Sequence, residues 1–164
     1  DIRKFGAMLK TSKDPNDHKL IKNLGPEPLG NNFNGGYLFK KSRKKSLPIK
    51  NFIMDSKIVV GVGNIYANEA LFMAGIRPTK KSGSISKVKF EELSRAIVIT
   101  LRDAIDAGGT TLKDYTNAEE APGYFKKELK VYDRGGENCV KCNKKLKEIR
   151  QANRQTVYCS TCQN

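Results

Sequence analysis

Apolar positions in this chain recur at helical spacing through its middle and tighten into a hairpin pattern only near its end. The longest periodic stretch follows Ser86, with Phe90, Leu93, Ile97, Leu101 and Ala104 on one face. Steps of three and four place those side chains on a single stripe, Ser86 supplies a cap, and Gly108-Gly109 ends the run. A second helix is predicted from Asn64, as its N-cap, to about Ala74. There Tyr66, Ala70, Met73 and Ala74 repeat at helical spacing, and Ile65, Leu71 and Phe72 widen the stripe until the helix is expected to be mostly buried. Shorter helices are predicted over 17–23, 33–46 and 49–55, the first stopped by Gly25-Pro26 and by Pro28 and Gly30 beyond it. Residues 2–11 read as a short strand that has no partner of its own kind nearby. Segments 146–150 and 155–158 read as a hairpin turning near Ala152 and Asn153, with Arg154 at or beside its tip. Between 110 and 136 no strong periodicity survives, and Ala121-Pro122-Gly123 marks a loop. The pattern predicts a mainly α fold, then a linker, then a small β-hairpin.

Charge sharpens this outline. Lys and Arg number 31 against 17 acidic residues, giving a formal net charge of +14 in 164 residues. The excess is spread along the chain, and its plainest use is to neutralise phosphates. No apolar run is long enough to cross a bilayer, and no strongly amphipathic basic helix with aromatic anchors points to an anionic membrane surface. The chain is expected to be soluble. The run Lys40, Lys41, Arg43, Lys44, Lys45 is either a solvated face or part of a phosphate-binding surface.

All four cysteines fall in two pairs, Cys139-x-x-Cys142 and Cys159-x-x-Cys162, with sixteen residues between them. That spacing matches a structural zinc ribbon, in which two knuckles offer four thiolates to one tetrahedral Zn²⁺. A disulfide within either pair would be strained and redox-active. Four ligands fill the coordination shell, so such a metal shapes the fold and leaves no open position for catalysis.

Gly61-Val62-Gly63-Asn64 precedes the second long helix. Free backbone amides at a helix start, aided by the helix dipole, form a phosphate site. The 49–55 helix just before it presents Lys50, so amides and a lysine converge as in a DNA-backbone clamp. Asn64 equally suits a plain cap.

These residues carry a resemblance. Pro48-Ile49-Lys50, followed by Gly61-Val62-Gly63-Asn64-Ile65-Tyr66-Ala67-Asn68-Glu69-Ala70-Leu71-Phe72, resembles the helix–two-turns–helix motif of bacterial formamidopyrimidine-DNA glycosylases. The opening Asp1-Ile2-Arg3-Lys4-Phe5-Gly6 is similar to that family's Asp-x-Arg-Arg-Phe-Gly. Gly108-Gly109-Thr110-Thr111-Leu112-Lys113-Asp114-Tyr115, Pro122-Gly123-Tyr124-Phe125, Val131-Tyr132-Asp133-Arg134 and Arg154-Gln155-Thr156-Val157-Tyr158-Cys159 follow in the family's order. The endonuclease VIII enzymes share clamp and ribbon, but Gly-Gly-Thr-Thr and the loop after it favour the formamidopyrimidine branch.

The resemblance implies an 8-oxoguanine and formamidopyrimidine glycosylase with abasic-site lyase activity. The implied partner is double-stranded DNA containing oxidised purines or abasic sites, with one structural Zn²⁺ on Cys139, Cys142, Cys159 and Cys162. Lys50, Gly63, Asn64 and Arg154 then correspond to the phosphate-gripping positions. Arg3 and Phe5 correspond to the residues that fill the gap left by an extruded base, one bonding the orphaned cytosine and the other wedging between base pairs. Residues 111–124 correspond to the loop that closes over the lesion, with Thr110, Thr111, Tyr115, Gly123 and Tyr124 as its marked positions.

The family's nucleophile is an N-terminal proline amine, assisted by a neighbouring glutamate and by a lysine from a β-rich lobe. Nothing in these 164 residues matches any of the three. Glu69 lies on the buried helix, and Glu91 and Glu92 on a solvated face. Ile2 and Lys4 also replace the usual proline and second arginine.

The expectation is therefore the C-terminal half of such an enzyme, inactive by itself. It would comprise the end of the β-rich lobe over 1–14 with its remnant strand, a helix–two-turns–helix domain over 15–120, and a linker and zinc ribbon over 121–164. A monomer in the bacterial cytoplasm, associated with the nucleoid, is expected. An endonuclease VIII-type glycosylase, a non-enzymatic zinc-ribbon DNA-binding regulator and an RNA-binding ribosomal-type zinc protein remain as alternatives.

Overall fold

Asn34 starts the first α-helix: its side-chain oxygen accepts the Tyr37 amide at 2.8 Å, and α1 runs Gly35–Ser42. The computed structural model describes residues 10, 12, 14–108 and 129–164. Further helices are α2 at Ile49–Ile53, α3 at Asn64–Met73 and α4 at Lys87–Asp106, with single 3-10 turns at Pro15–Asp17 and Ser82–Ser84. Two antiparallel strands complete the described elements, β1 at Lys147–Gln151 and β2 at Arg154–Tyr158. The fold is mainly helical with a terminal hairpin, as the sequence pattern predicts. The 2–11 strand lies outside the described residues.

The helices enclose one core. Phe52 and Phe90 meet edge to face with centroids 6.2 Å apart, among Leu38, Ile53, Leu71 and Ile97. α1 and α3 both pack on α4. Gly35 makes the α1 approach possible, because a Cβ there would sit 2.5 Å from the Glu91 backbone. Ser86 caps α4 as predicted, accepting the Lys89 amide, and Gly108 follows its end at φ +73°. Phe90, Leu93, Ile97 and Ala104 are buried along it, whereas Leu101 is only half-buried.

Three predicted elements differ. Segment 17–23 is a series of turns and not a helix. Its Leu20 and Ile21 are exposed, and a short helix with no apolar face to bury does not offset its own nucleation. The 33–46 helix contracts to α1, because Asn34 fixes its start and Lys44, at φ +62°, lies outside helical geometry. In α3 the N-cap is Gly63 and not Asn64. Gly63 is extended, its carbonyl accepts the Ala67 amide at 2.9 Å, and Asn64 is the first helical residue. Met73, assigned to the buried stripe, is 43% exposed, whereas its neighbour Phe72 is buried in the ribbon core.

Ala152 and Asn153, at φ +46° and +59°, form the two-residue turn of the hairpin, and Gln151 pairs with Arg154 across it. The hairpin and cysteine knuckles share a small second core of Phe72, Val131, Leu146 and Val157 with Cys139 and Cys159. Among the described residues no helix is long and apolar enough to cross a membrane.

Candidate nucleic-acid interface

The turns between α2 and α3 turn sharply at Gly61, whose φ of +79° is a left-handed value that glycine adopts without strain. Gly63 then caps α3 with no side chain, and nothing stands within 4 Å of where its Cβ would be. The start of α3 therefore opens outward with the positive end of its dipole uncovered. Asn64 stands at this opening, half-buried, and its Oδ1 has no hydrogen-bond partner among the described residues.

The ribbon approaches the same place through side chains from α2 and α3. Lys50 is 1% exposed, and its Nζ donates to the Gln155 carbonyl at 2.7 Å and to Thr156 Oγ1 at 2.6 Å. No ion pair to Lys50 occurs among the described residues. Burial pushes its ammonium down to about 8, and the neighbouring Arg154 guanidinium adds to the shift. Arg154 itself is exposed beside the turn. Asn68, fully buried, gives Nδ2–H to the Asn64 carbonyl at 2.7 Å and accepts the Val157 amide at 2.9 Å. One side chain thereby joins the first turn of α3 to the outer edge of β2.

Lys50, Gly63, Asn64 and Arg154, singled out from the sequence, thus lie on adjoining elements bonded to one another. Lys50 is also more deeply placed than a surface phosphate ligand would be. Arg3, Phe5, Thr110, Thr111, Tyr115, Gly123 and Tyr124 lie outside the described residues.

Sequence reasoning missed the residues that hold the parts together. Glu69, 6% exposed, accepts the amides of Lys130, Val131 and Tyr132 at 2.8–2.9 Å and so fixes the approach to the ribbon. Gln163 accepts the Cys159 amide and donates to the Ile76 carbonyl. Arg77 donates to the carbonyls of Gln163 and Ser160. The available signal was Asn68-Glu69, two polar residues inside an otherwise apolar helix, since buried polar groups are kept only with partners.

The four cysteine sulfurs all lie within 4.8 Å of one another, with Cys139–Cys162 at 3.9 Å and Cys142–Cys159 at 3.4 Å. A tetrahedral ion with metal–sulfur bonds of about 2.3 Å requires sulfur–sulfur edges of about 3.8 Å. The donor set fits a metal ion. Cys139 and Cys159 are buried and the other two half-buried. Backbone N–H groups reach two of the sulfurs, Lys141 to Cys139 and Cys162 to Cys159, each at 3.4 Å.

A glycine-capped helix start and a four-thiol ribbon, locked together by buried polar side chains, define a DNA-binding protein of the helix–two-turns–helix class. Residues 24–116 match the formamidopyrimidine-DNA glycosylase H2TH domain. The chain belongs to the formamidopyrimidine-DNA glycosylase family. It is 56% identical over 164 residues to the formamidopyrimidine-DNA glycosylase of Marinomonas sp. (strain MWYL1), a match covering 100% of this chain and 60% of that protein. The MutM (Fpg) protein of Thermus thermophilus superposes with a TM-score of 0.83 at 36% identity, over 88% of this chain and 55% of that one. The Lactococcus lactis Fpg, solved in complex with DNA containing an abasic site, gives 0.80 at 34% identity, over 88% and 53%. The chain spans about 60% of the length of the curated relatives it matches.

Proposed function

We propose that this chain is the DNA-gripping portion of a bifunctional formamidopyrimidine-DNA glycosylase and abasic-site lyase of base excision repair. The whole enzyme would flip oxidised purines out of duplex DNA, excise them, and cleave the backbone through a Schiff base by β,δ-elimination. The observation that carries this reading is the meeting of an uncovered helix start and a cation-bearing hairpin at one opening. The uncovered start of α3, with Asn64, adjoins a hairpin that presents Arg154 near the buried Lys50 ammonium, which has no ion pair among the described residues. An anion placed there would find backbone amides, a carboxamide and two positive charges, which is the donor set a bridging phosphate calls for.

In this reading Gly63, Asn64, Lys50 and Arg154 hold the backbone around the lesion. Arg3 and Phe5 fill the vacated stack, and 111–124 closes over the flipped base. The four thiols hold Zn²⁺, the common occupant of a closed tetrahedral four-sulfur site. The protein works as a monomer in the bacterial cytoplasm, on nucleoid DNA, and is divided as 1–14, 15–120 and 121–164. The 164 residues bind and position, and the nucleophile belongs to residues outside them.

The test compares duplexes carrying an abasic-site analogue with intact duplexes and RNA across a salt series. Tighter binding to the abasic duplex with a steep salt dependence is expected. Equal affinity for all three, or a footprint confined to a palindrome, would replace this reading with a general nucleic-acid binder or a regulator. Borohydride added to a natural abasic duplex should trap no covalent adduct with this chain, and an adduct would reveal a nucleophile within it.

A further inference from the structure

Neither 35–54 nor 70–90 contains an acidic residue, and the two stretches meet. Segment 45–49 runs antiparallel to 80–83. The Ile49 amide donates to the Lys80 carbonyl at 2.8 Å, the Ser82 amide to Leu47 at 2.9 Å, and the Gly83 amide to Lys45 at 2.9 Å, with Pro48 bridged to Lys81. A Cβ at Gly83 would stand 2.6 Å from the Lys45 carbonyl, so the pairing is close as well as bonded. This backbone frame holds Lys44, Lys45, Lys80 and Lys81 at the surface, all exposed. No hydrogen bond or ion pair to any of their ammonium groups occurs among the described residues, whose ion pairs are Lys89–Glu92 and Arg134–Glu137.

Two details separate this edge from an ordinary solvated face. Lys44 is held at φ +62°, a conformation that costs a non-glycine residue free energy and is kept only where the surroundings dictate it. The edge also continues the site already described. Lys50 follows directly on 45–49, and Gln151, at the hairpin turn, reaches the Pro78 carbonyl through Nε2 at 3.4 Å. The hairpin turn beside Arg154 is thus hydrogen-bonded to the segment that leads into Lys80 and Lys81.

Nearby Arg43 shows the contrast. Its guanidinium lies 3.9 Å above the Phe39 ring and donates to the Phe39 and Ile85 carbonyls, so it is spent inside the fold.

We propose that Lys44, Lys45, Lys80 and Lys81 form a second phosphate track, on which the flanking arm of a duplex lies after leaving the Arg154 hairpin. The proposal rests on the DNA-binding reading above and extends it from the lesion to the neighbouring helix. Contacts of this kind position the duplex without reading sequence.

The experiment uses two abasic-analogue duplexes with the same centre, one barely spanning the lesion and one with longer arms. Wild-type protein is compared with a variant carrying Gln at all four lysines. Wild type should favour the longer duplex and show the steeper salt slope with it. The variant should lose that preference, its slope on the longer duplex falling by about 0.9 for each phosphate contact removed, roughly threefold in affinity per contact over a fourfold salt range. Its affinity for the short duplex should be unchanged, and Arg at the four positions should restore the preference. Loss on both duplexes alike, or on neither, overturns the track. Wild type indifferent to the lesion on the short duplex overturns the DNA reading itself.

Discussion

Burying an ammonium without a carboxylate beside it is unfavourable, and Lys50, with no ion pair among the described residues, lies within reach of a second cation. Its two acceptors, Gln155 O and Thr156 Oγ1, recover part of the lost hydration. The remainder appears as a pKa lowered to about 8 by burial and by Arg154, against an unfolded value near 10.4. Below pH 8 the lysine is charged in both states, and the folded state carries the full penalty. Between about 8 and 10.4 only the unfolded chain keeps the proton, so this residue makes stability rise with pH through that window, by on the order of 3 kcal/mol. Lys50→Met removes the group and should flatten that rise. Urea unfolding of both proteins across the window reads the difference, and parallel curves would show that Lys50 titrates normally. Under the proposed phosphate role of Lys50, the same substitution should weaken DNA binding. The hydrophobic pattern revealed none of this. It placed Lys50 on a short helix beside the turns, but its acceptors lie more than 100 residues away.

The elements divide according to how local their causes are. Helix α4 and the hairpin were legible because stripe, cap, stop signal and cysteine spacing all act within a few residues. Segment 17–23 and the start of α3 depart from the pattern because their outcome depends on what packs against them and on which residue's carbonyl takes the first helical bond. The ribbon is the element most dependent on something beyond its sequence. Its core has only Phe72, Val131, Leu146 and Val157 besides the cysteines, worth about 1.5–3 kcal/mol each when fully buried. The zinc proposed for this site contributes on the order of 10–16 kcal/mol in isolated fingers, as much as that core or more. Chelation should therefore unfold the hairpin while the helical body keeps its far-UV signal. DNA affinity should fall together with the metal content, and readmitting the ion should restore both. Acid should act like a chelator, since protonated thiols release metal. A ribbon that keeps its amide protection after complete metal removal would assign its stability to packing instead.

At the scale of the molecule, body and ribbon are joined by Phe72 in the ribbon core and by side chains that end in backbone groups of the other part. Asn68, Glu69, Arg77 and Gln163 do for the two parts what sheet hydrogen bonds do within one. Such ties set direction as well as proximity, which a hairpin carrying Arg154 at its end requires. Glu69 is the most concentrated of them, since one carboxylate takes three successive amides, and bonds to a charged acceptor contribute more than neutral ones. Glu69→Ala leaves those amides without their partner and should cost on the order of 3 kcal/mol. Glu69→Gln keeps the shape but loses the charge and one acceptor, and should cost less. The informative readout is hydrogen exchange. In Glu69→Ala the amides of Lys130, Val131 and Tyr132 should exchange faster, and protection along β2 should fall with them, because the approach to the ribbon would no longer be fixed. Protection inside α4 should hold, since Phe90, Leu93 and Ile97 belong to the other core. If exchange instead rises uniformly through body and ribbon, the two unfold as a single unit, and Glu69 stabilises the whole molecule without placing the hairpin.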